Sequence, residues 1–341
     1  MSKGCDKLLI EITLKGSHYE IGLEIGKIIR KAGYSPPTLP PERVKLAEEC
    51  ERLVQKYTPR LWEELEGVQK GGDFKDRNVM HFELTLLPLP RNGCTIFAVA
   101  PEFTPSGKTL FARNYDWELS FQALFTFVKT CPKQALSSLG CTDLVVGRYG
   151  GINESGLAIG LTAVSGYPHD KPGIALHLAT RWILDNCSTT KEAVTFMKRI
   201  PHFRGNNYLI ADKDGDIALV EGSPDRVKVT PAKDGLAFAA NRFQSAEMLE
   251  LEDERWANPT TAQRQKIVED WYSSNKGRID EKAAQKLLSG IFETGDGVCC
   301  RYSYGSQEWG TIWSWTALLG DGIMKIADGA PSRNEYKRYS F

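Results

Sequence analysis

From Gly93 onward the chain alternates groups of short β-patterned segments with two pairs of helical segments, an order that few architectures accept. Runs rich in β-branched and aromatic residues, bounded by turn residues, place strands at 95–100, 110–115, 123–130, 143–149 and 157–164. Helical patterns follow at 174–186 and 190–199. Strands resume at 207–211, 217–221, 227–230 and 236–240, helices at 260–273 and 280–288, and a last strand pair at 311–319 and 323–328. Each strand group must bury one face, and each helical pair must cover an outer face. The order therefore predicts an α+β sandwich, two stacked antiparallel sheets between helical layers. A chain of 341 residues is long enough for one such core.

The residues ahead of Gly93 read differently. Ser17, with Glu20 three positions on, opens an amphipathic helix over 17–30, and Gly22 and Gly26 let that helix approach a neighbour closely. A second helical region runs over 41–67, with a break or kink at Pro59. Residues 71–91 are loop-like with short helical stretches. The Pro-containing stretch 86–92 reads as an extended, exposed linker arriving at Gly93. Two parts are expected to fold together as one compact domain, a helical segment 1–93 and a body 94–341.

Composition excludes several classes. Forty-three basic and 43 acidic residues balance, which leaves no electrostatic footprint for nucleic acid or an anionic membrane. No uninterrupted apolar run is long enough to cross a bilayer, and the N-terminus lacks the apolar stretch of a signal peptide. The eight cysteines have no metal-ligand spacing and are expected as reduced thiols of a cytoplasmic protein. No metal or cofactor is expected. The adjacent Cys299 and Cys300 read as buried apolar fillers.

One cysteine stands apart. Cys94 heads the apolar run Ile96-Phe97-Ala98-Val99, and Arg113 and Asp116 lie on the next strand. A thiol attacks an amide carbonyl well only with a lowered pKa or a base beside it. The α-amino group of the same cysteine can be that base, with a reference pKa of about 7.7–8.0, but only if the preceding bond is cut. Gly93 lacks the Cβ that would hinder attack by the Cys94 thiol on the carbonyl before it. Arg113 would favour the thiolate, and Asp116 would hold the α-ammonium or a bridging water. A salt bridge on a hairpin would use the same two residues. The five histidines (18, 81, 169, 177 and 202) offer a papain-like pairing, but none has a matching signature; His177 reads as a packed or surface residue.

The motifs Gly93-Cys94-Thr95, Arg113-Asn114-Tyr115-Asp116-Trp117, Gly151-Ile152-Asn153-Glu154-Ser155-Gly156-Leu157 and Ala240-Asn241-Arg242 occur in an order that resembles the N-terminal-nucleophile (Ntn) hydrolases. The resemblance is to the acyl-coenzyme A:isopenicillin-N (6-aminopenicillanic acid) acyltransferase family and its choloylglycine hydrolase relatives, the bile salt hydrolases and penicillin V acylases. The early Gly16-Ser17-His18-Tyr19-Glu20-Ile21-Gly22 resembles the start of acyltransferase precursors. The resemblance implies an αββα fold and a chain that cleaves itself between Gly93 and Cys94, its two pieces staying together. It implies a cysteine enzyme acting on linear amides, through an acyl-thioester on Cys94 passed to water, an amine or a coenzyme A thiol. Asn241 would be the oxyanion donor, and Arg301 a late arginine near the nucleophile. Where bile salt hydrolases carry asparagine and penicillin V acylases tyrosine, this chain has Thr162. That argues against those two specificities, although the Thr162 backbone N–H could still serve an oxyanion hole. Trp117 and Tyr149, with Phe121 and the alternating Trp309, Trp313 and Trp315, could wall an apolar acyl pocket. The rival readings are an uncleaved, inactive binding protein and an esterase or peptidase use of the same site. The expected partner is a small amide or acyl-coenzyme A-like molecule, and a homo-oligomer is compatible with the sequence.

Overall fold

The protein is described by a computed structural model covering residues 11–35, 37–86, 93–304 and 306–341. The linker reading falls mostly on 87–92, outside the described residues. Ahead of it lie a strand β1 (Glu11–Gly16) and helices α1 (His18–Lys31), α2 (Pro41–Tyr57), α3 (Pro59–Gly71) and α4 (Asn78–Thr85). After it come β2 (Gly93–Val99), β3 (Leu110–Glu118), β4 (Thr126–Pro132), β5 (Ser138–Thr142), β6 (Gly150–Asn153) and β7 (Leu157–Ala163). Helices α5 (Leu176–Asn186) and α6 (Thr190–Arg199) precede β8 (Asn206–Asp212), β9 (Ile217–Gly222), β10 (Val227–Pro231) and β11 (Leu236–Ala239). The chain ends with α7 (Ala246–Leu249), α8 (Thr261–Asn275), α9 (Glu281–Ser289), β12 (Arg301–Tyr304), β13 (Gln307–Leu318), β14 (Ile323–Asp328) and β15 (Lys337–Ser340).

The strands form two sheets. One runs β1-β4-β5-β6-β7-β8-β9-β10; the other runs β11-β2-β3-β13-β14-β15, with β12 on β13. All pairings are antiparallel except β1 with β4. Helices α5 and α6 cover the first sheet, while α8 and α9 cover the second. The inner faces meet where β2 crosses β7: a Cβ built on Gly160 would lie 3.2 Å from Ile96 Cδ1. This is the αββα sandwich expected from the strand and helix order.

Local signals fixed the N-terminal helices well. Ser17 and Glu20 form a reciprocal capping box on α1, and the chain breaks at Thr58–Pro59 into two helices. Gly22 and Gly26 of α1 face Gly67 and Gly71 of α3, each so close to the other helix's backbone that no Cβ fits. Gly22→Ala is therefore expected to destabilise the protein by about 3 kcal/mol through overpacking, read as a lower urea midpoint with an unchanged slope.

The N-terminal segment is bound to the body by buried charge as well as by β1. Glu64 (α3) accepts from Arg181 (α5) at 3.0 and 3.2 Å and lies 2.8 Å from His18 Nδ1 (α1), while Arg181 also binds Asp185 at 2.9 Å. Burial opposes the charge on Glu64, but Arg181 and His18 hold its carboxyl below the usual range. Arg43 (α2) donates to the carbonyls of Thr85 and Leu86 at the end of α4 and pairs with Asp170, which Arg204 also grips.

One expected strand is absent. Residues 143–149 form an irregular loop between β5 and β6 rather than a strand. The backbone N–H groups of Val145, Val146 and Gly147 point to the Glu83 carboxylate on α4 instead of to a neighbouring strand. The strands β1, β5, β6, β12 and β15 and the short α7 have no counterpart in the sequence reading.

Candidate active site

Cys94 sits at the start of β2, paired with Tyr115 of β3, and is 3% exposed. Alternation along the strands sends Cys94 and Ile96 into the inter-sheet core, with Arg113 and Tyr115 opposite. Arg113 is fully buried. Its Nη2 lies 4.0 Å from Cys94 Sγ, and its Nη1 donates to the Tyr149 carbonyl. The guanidinium also lies over the Trp313 ring, 5.0 Å from the centroid. It crosses to the other sheet because that sheet is thin there: a Cβ on Gly150 would stand 2.9 Å from Arg113 Nη1. In the continuous chain burial pushes the Cys94 thiol up, Arg113 pulls it down and Asp116 pushes it up again.

Asp116 is opposite Gly93 in the β2–β3 pairing and is completely buried. Its Oδ1 accepts from Thr311 Oγ1 at 2.6 Å, while Oδ2 has no hydrogen-bond partner among the described residues. A Cβ on Gly93 would come within 2.9 Å of that free oxygen. Burial raises the Asp116 carboxyl, with Arg264 and the Thr311 hydroxyl opposing. Cys300 adjoins this carboxylate, so it borders the site rather than serving only as apolar filling.

Asn241 follows the last strand residues of β11. Its Oδ1 accepts from Cys94 N at 2.8 Å and from Arg264 Nη2 at 2.9 Å, and its Nδ2 donates to the Ala163 carbonyl at 3.0 Å. Two donors on one side and an acceptor on the other fix the amide orientation. The side chain thus presents its oxygen to Cys94 N, whereas the oxyanion role inferred from the sequence requires its N–H. The Thr162 side chain is turned to another task. Its hydroxyl donates to the Ala240 carbonyl, and Asn207 Nδ2 binds the same carbonyl at 2.9 Å and that of Arg242 at 2.8 Å. Together they fasten the turn that carries Asn241.

Arg301 is not brought to this cluster. It lies on β12, paired with Glu308, with a side chain 52% exposed. The fold uses Arg264 of α8 instead, fully buried. Arg264 donates to the Cys94 carbonyl, to Thr95 Oγ1 at 3.1 Å and to Asn241. The sequence reading missed Arg264 and Asn207. A signal for Arg264 existed: Thr261, Arg264, Val268 and Tyr272 share the buried stripe of α8, so an arginine occupies a core position.

Aromatic rings flank Cys94. Tyr115 stacks on Trp313 (4.6 Å between centroids), Tyr149 (5.2 Å) and Trp117 (6.1 Å), and Trp117 meets Trp309 edge-on. Tyr115 Oη donates to Asp143 Oδ2 at 3.3 Å. Burial raises the Asp143 carboxyl to about 6, opposed by the two tyrosine hydroxyls. The buried histidines are engaged elsewhere: His18 with Glu64, His81 with Glu51, His177 beside Glu83 and His202 with the Met197 carbonyl. Among the described residues, the seven cysteines are free thiols, no group of side chains could hold a metal ion, and no helix is long and apolar enough to cross a membrane.

Comparison with solved structures agrees with the fold. Penicillin V acylase from Agrobacterium tumefaciens is similar at 16% identity and a TM-score of 0.50, covering 73% of this chain and 86% of that one. An N-acylethanolamine-hydrolyzing acid amidase ortholog from Caenorhabditis elegans matches at 14% identity and a TM-score of 0.49, covering 73% and 100%. A mutant conjugated bile acid hydrolase from Clostridium perfringens matches at 17% and 0.47, covering 72% and 97%. No curated protein sequence matches the chain. The sequence profile of one family, however, matches residues 103–333, a span that holds Arg113, Asp116, Asn241 and Arg264. The chain belongs to the acyl-coenzyme A:6-aminopenicillanic acid acyl-transferase family.

Proposed function

We propose that this protein is a self-processing cysteine amidase or acyltransferase whose nucleophile is Cys94. The observation that carries the reading is the surroundings of the Gly93–Cys94 bond. Asn241 Oδ1 holds Cys94 N, and a buried, unpartnered Asp116 oxygen stands against Gly93. In the first reaction Sγ adds to the Gly93 carbonyl, the C–N bond breaks and the Cys94 nitrogen takes up a proton. Water then hydrolyses the thioester and leaves residues 1–93 with a terminal carboxylate. The freed α-amine has a donor for the unpartnered Asp116 Oδ2 while keeping its bond to Asn241 Oδ1, and it supplies the base that a peptide nitrogen cannot. In the second reaction Sγ attacks a substrate amide, the amine leaves with a proton, and the acyl-thioester passes to water or another acceptor. Arg113 stabilises the thiolate, and the rings of Tyr115, Trp117 and Tyr149 suit an apolar acyl group.

Intact mass of purified protein, followed over time, tests the reading. Fragments 1–93 and 94–341 are expected, with Cys94 in the second taking up one equivalent of iodoacetamide and an N-acyl amide panel showing turnover. A full-length chain that neither splits nor reacts at Cys94 would sink it. Asp116→Asn should still fold yet slow cleavage by about 10²-fold, because the carboxylate that receives the nascent amine is gone.

A further inference from the structure

The loop 143–149 supplies one wall of the Cys94 cluster, and what holds that loop comes from the other side of the scissile bond. Glu83 on α4 is completely buried. One carboxylate oxygen accepts from Val145 N at 2.9 Å, and the other accepts from Val146 N at 3.0 Å and Gly147 N at 3.4 Å. His177 Nε2 stands 3.6 Å from Glu83 Oε2, and the His177 carbonyl takes the Arg148 N–H at 3.1 Å. The next residue is Tyr149, whose carbonyl binds Arg113 Nη1 and whose N–H bonds Cys141 O at 2.9 Å. The chain of contacts is continuous: Glu83, the loop backbone, the Tyr149 carbonyl, Arg113, Cys94 Sγ.

We propose, resting on the assignment of Cys94 as nucleophile, that Glu83 is a positioning residue that sets the distance between Arg113 and the thiolate. Three orphaned N–H groups would otherwise face the core, so the loop has no second arrangement of equal quality with Glu83 removed. Arg113 then loses its fixed carbonyl and drifts from Sγ. A cation within about 4–6 Å lowers an acidic pKa by roughly 1–3 units, so the effect reaches the chemistry through the thiolate fraction. The upstream fragment is accordingly a working part of the site after cleavage, not a discarded leader.

The test is the pH dependence of Cys94 alkylation by iodoacetamide, read by peptide mass on processed wild type, Glu83→Gln and Glu83→Ala, beside kcat and KM for any amide substrate. The midpoint should rise by about one unit in Glu83→Gln, which keeps shape and one acceptor, and further in Glu83→Ala. At pH 7 that is a roughly tenfold loss in kcat with KM little changed. An unshifted midpoint in Glu83→Gln overturns the proposal even if Glu83→Ala fails to fold. If wild type itself neither splits nor alkylates at Cys94, the assignment of the nucleophile has failed first, and that outcome is distinct.

Discussion

Replacing Cys94 with alanine should leave a single chain of 38.1 kDa and no measurable turnover. Both reactions proposed for the site begin with the same sulfur, so its loss removes them together. The fold should survive. Cys94 is a small buried side chain, and the Ala substitution deletes one sulfur while the backbone contacts through Cys94 N and O remain. Thermal melting within a few degrees of wild type, with cleavage abolished on a denaturing gel, is the expected pair of results. Normal splitting in Cys94→Ala would move the nucleophile elsewhere.

The second large effect is expected at Arg264. Its guanidinium is the shared donor for the Cys94 carbonyl, Thr95 Oγ1 and Asn241 Oδ1, and it faces the Asp116 carboxylate. Arg264→Leu removes these bonds and leaves the acceptors buried, a cost of about 3 kcal/mol in stability at the level of a charged hydrogen bond. Cleavage and turnover should fall by about 10²–10³-fold, the range seen when one oriented donor is lost from an active site. Arg264→Lys keeps the charge but cannot span three acceptors, so it should recover stability more than rate. Wild-type cleavage in Arg264→Lys would show that the fork is not needed.

How much of this was legible in the sequence follows from how local each determinant is. The α1 cap lies within four residues, Ser17 to Glu20, and the break at Pro59 within one. Most strands were found because turns such as Asp212 to Gly215 separate them cleanly. The segment 143–149 misled because Leu144, Val145 and Val146 have strand-like side chains, while the N–H groups of Val145 and Val146 bond to Glu83, about sixty residues upstream, and that of Leu144 to Thr142 Oγ1. At the site, Cys94, Arg113 and Asp116 were readable because they sit on adjacent paired strands. Arg264 was not, since a helix with Gln263, Gln265 and Lys266 around it looks solvated until its buried stripe is counted. Arg301 was chosen for its place late in the chain, and chain order carries no information about which side of a hairpin faces solvent.

The pairing of β1 with β4 has a consequence for how such a protein ages. While Gly93 and Cys94 are joined, bringing the front of the chain to the body is an intramolecular event whose cost depends only weakly on the length of the loop. If the proposed cleavage parts them, the same edge strand and the same four helices must find the body from solution, and recovery after unfolding becomes dependent on concentration. The intact precursor should therefore regain its structure from urea at any dilution, whereas split material should do so ever more slowly as it is diluted. Maturation would then act as a ratchet: each molecule is assembled once, and its working lifetime is set by how slowly the pieces come apart.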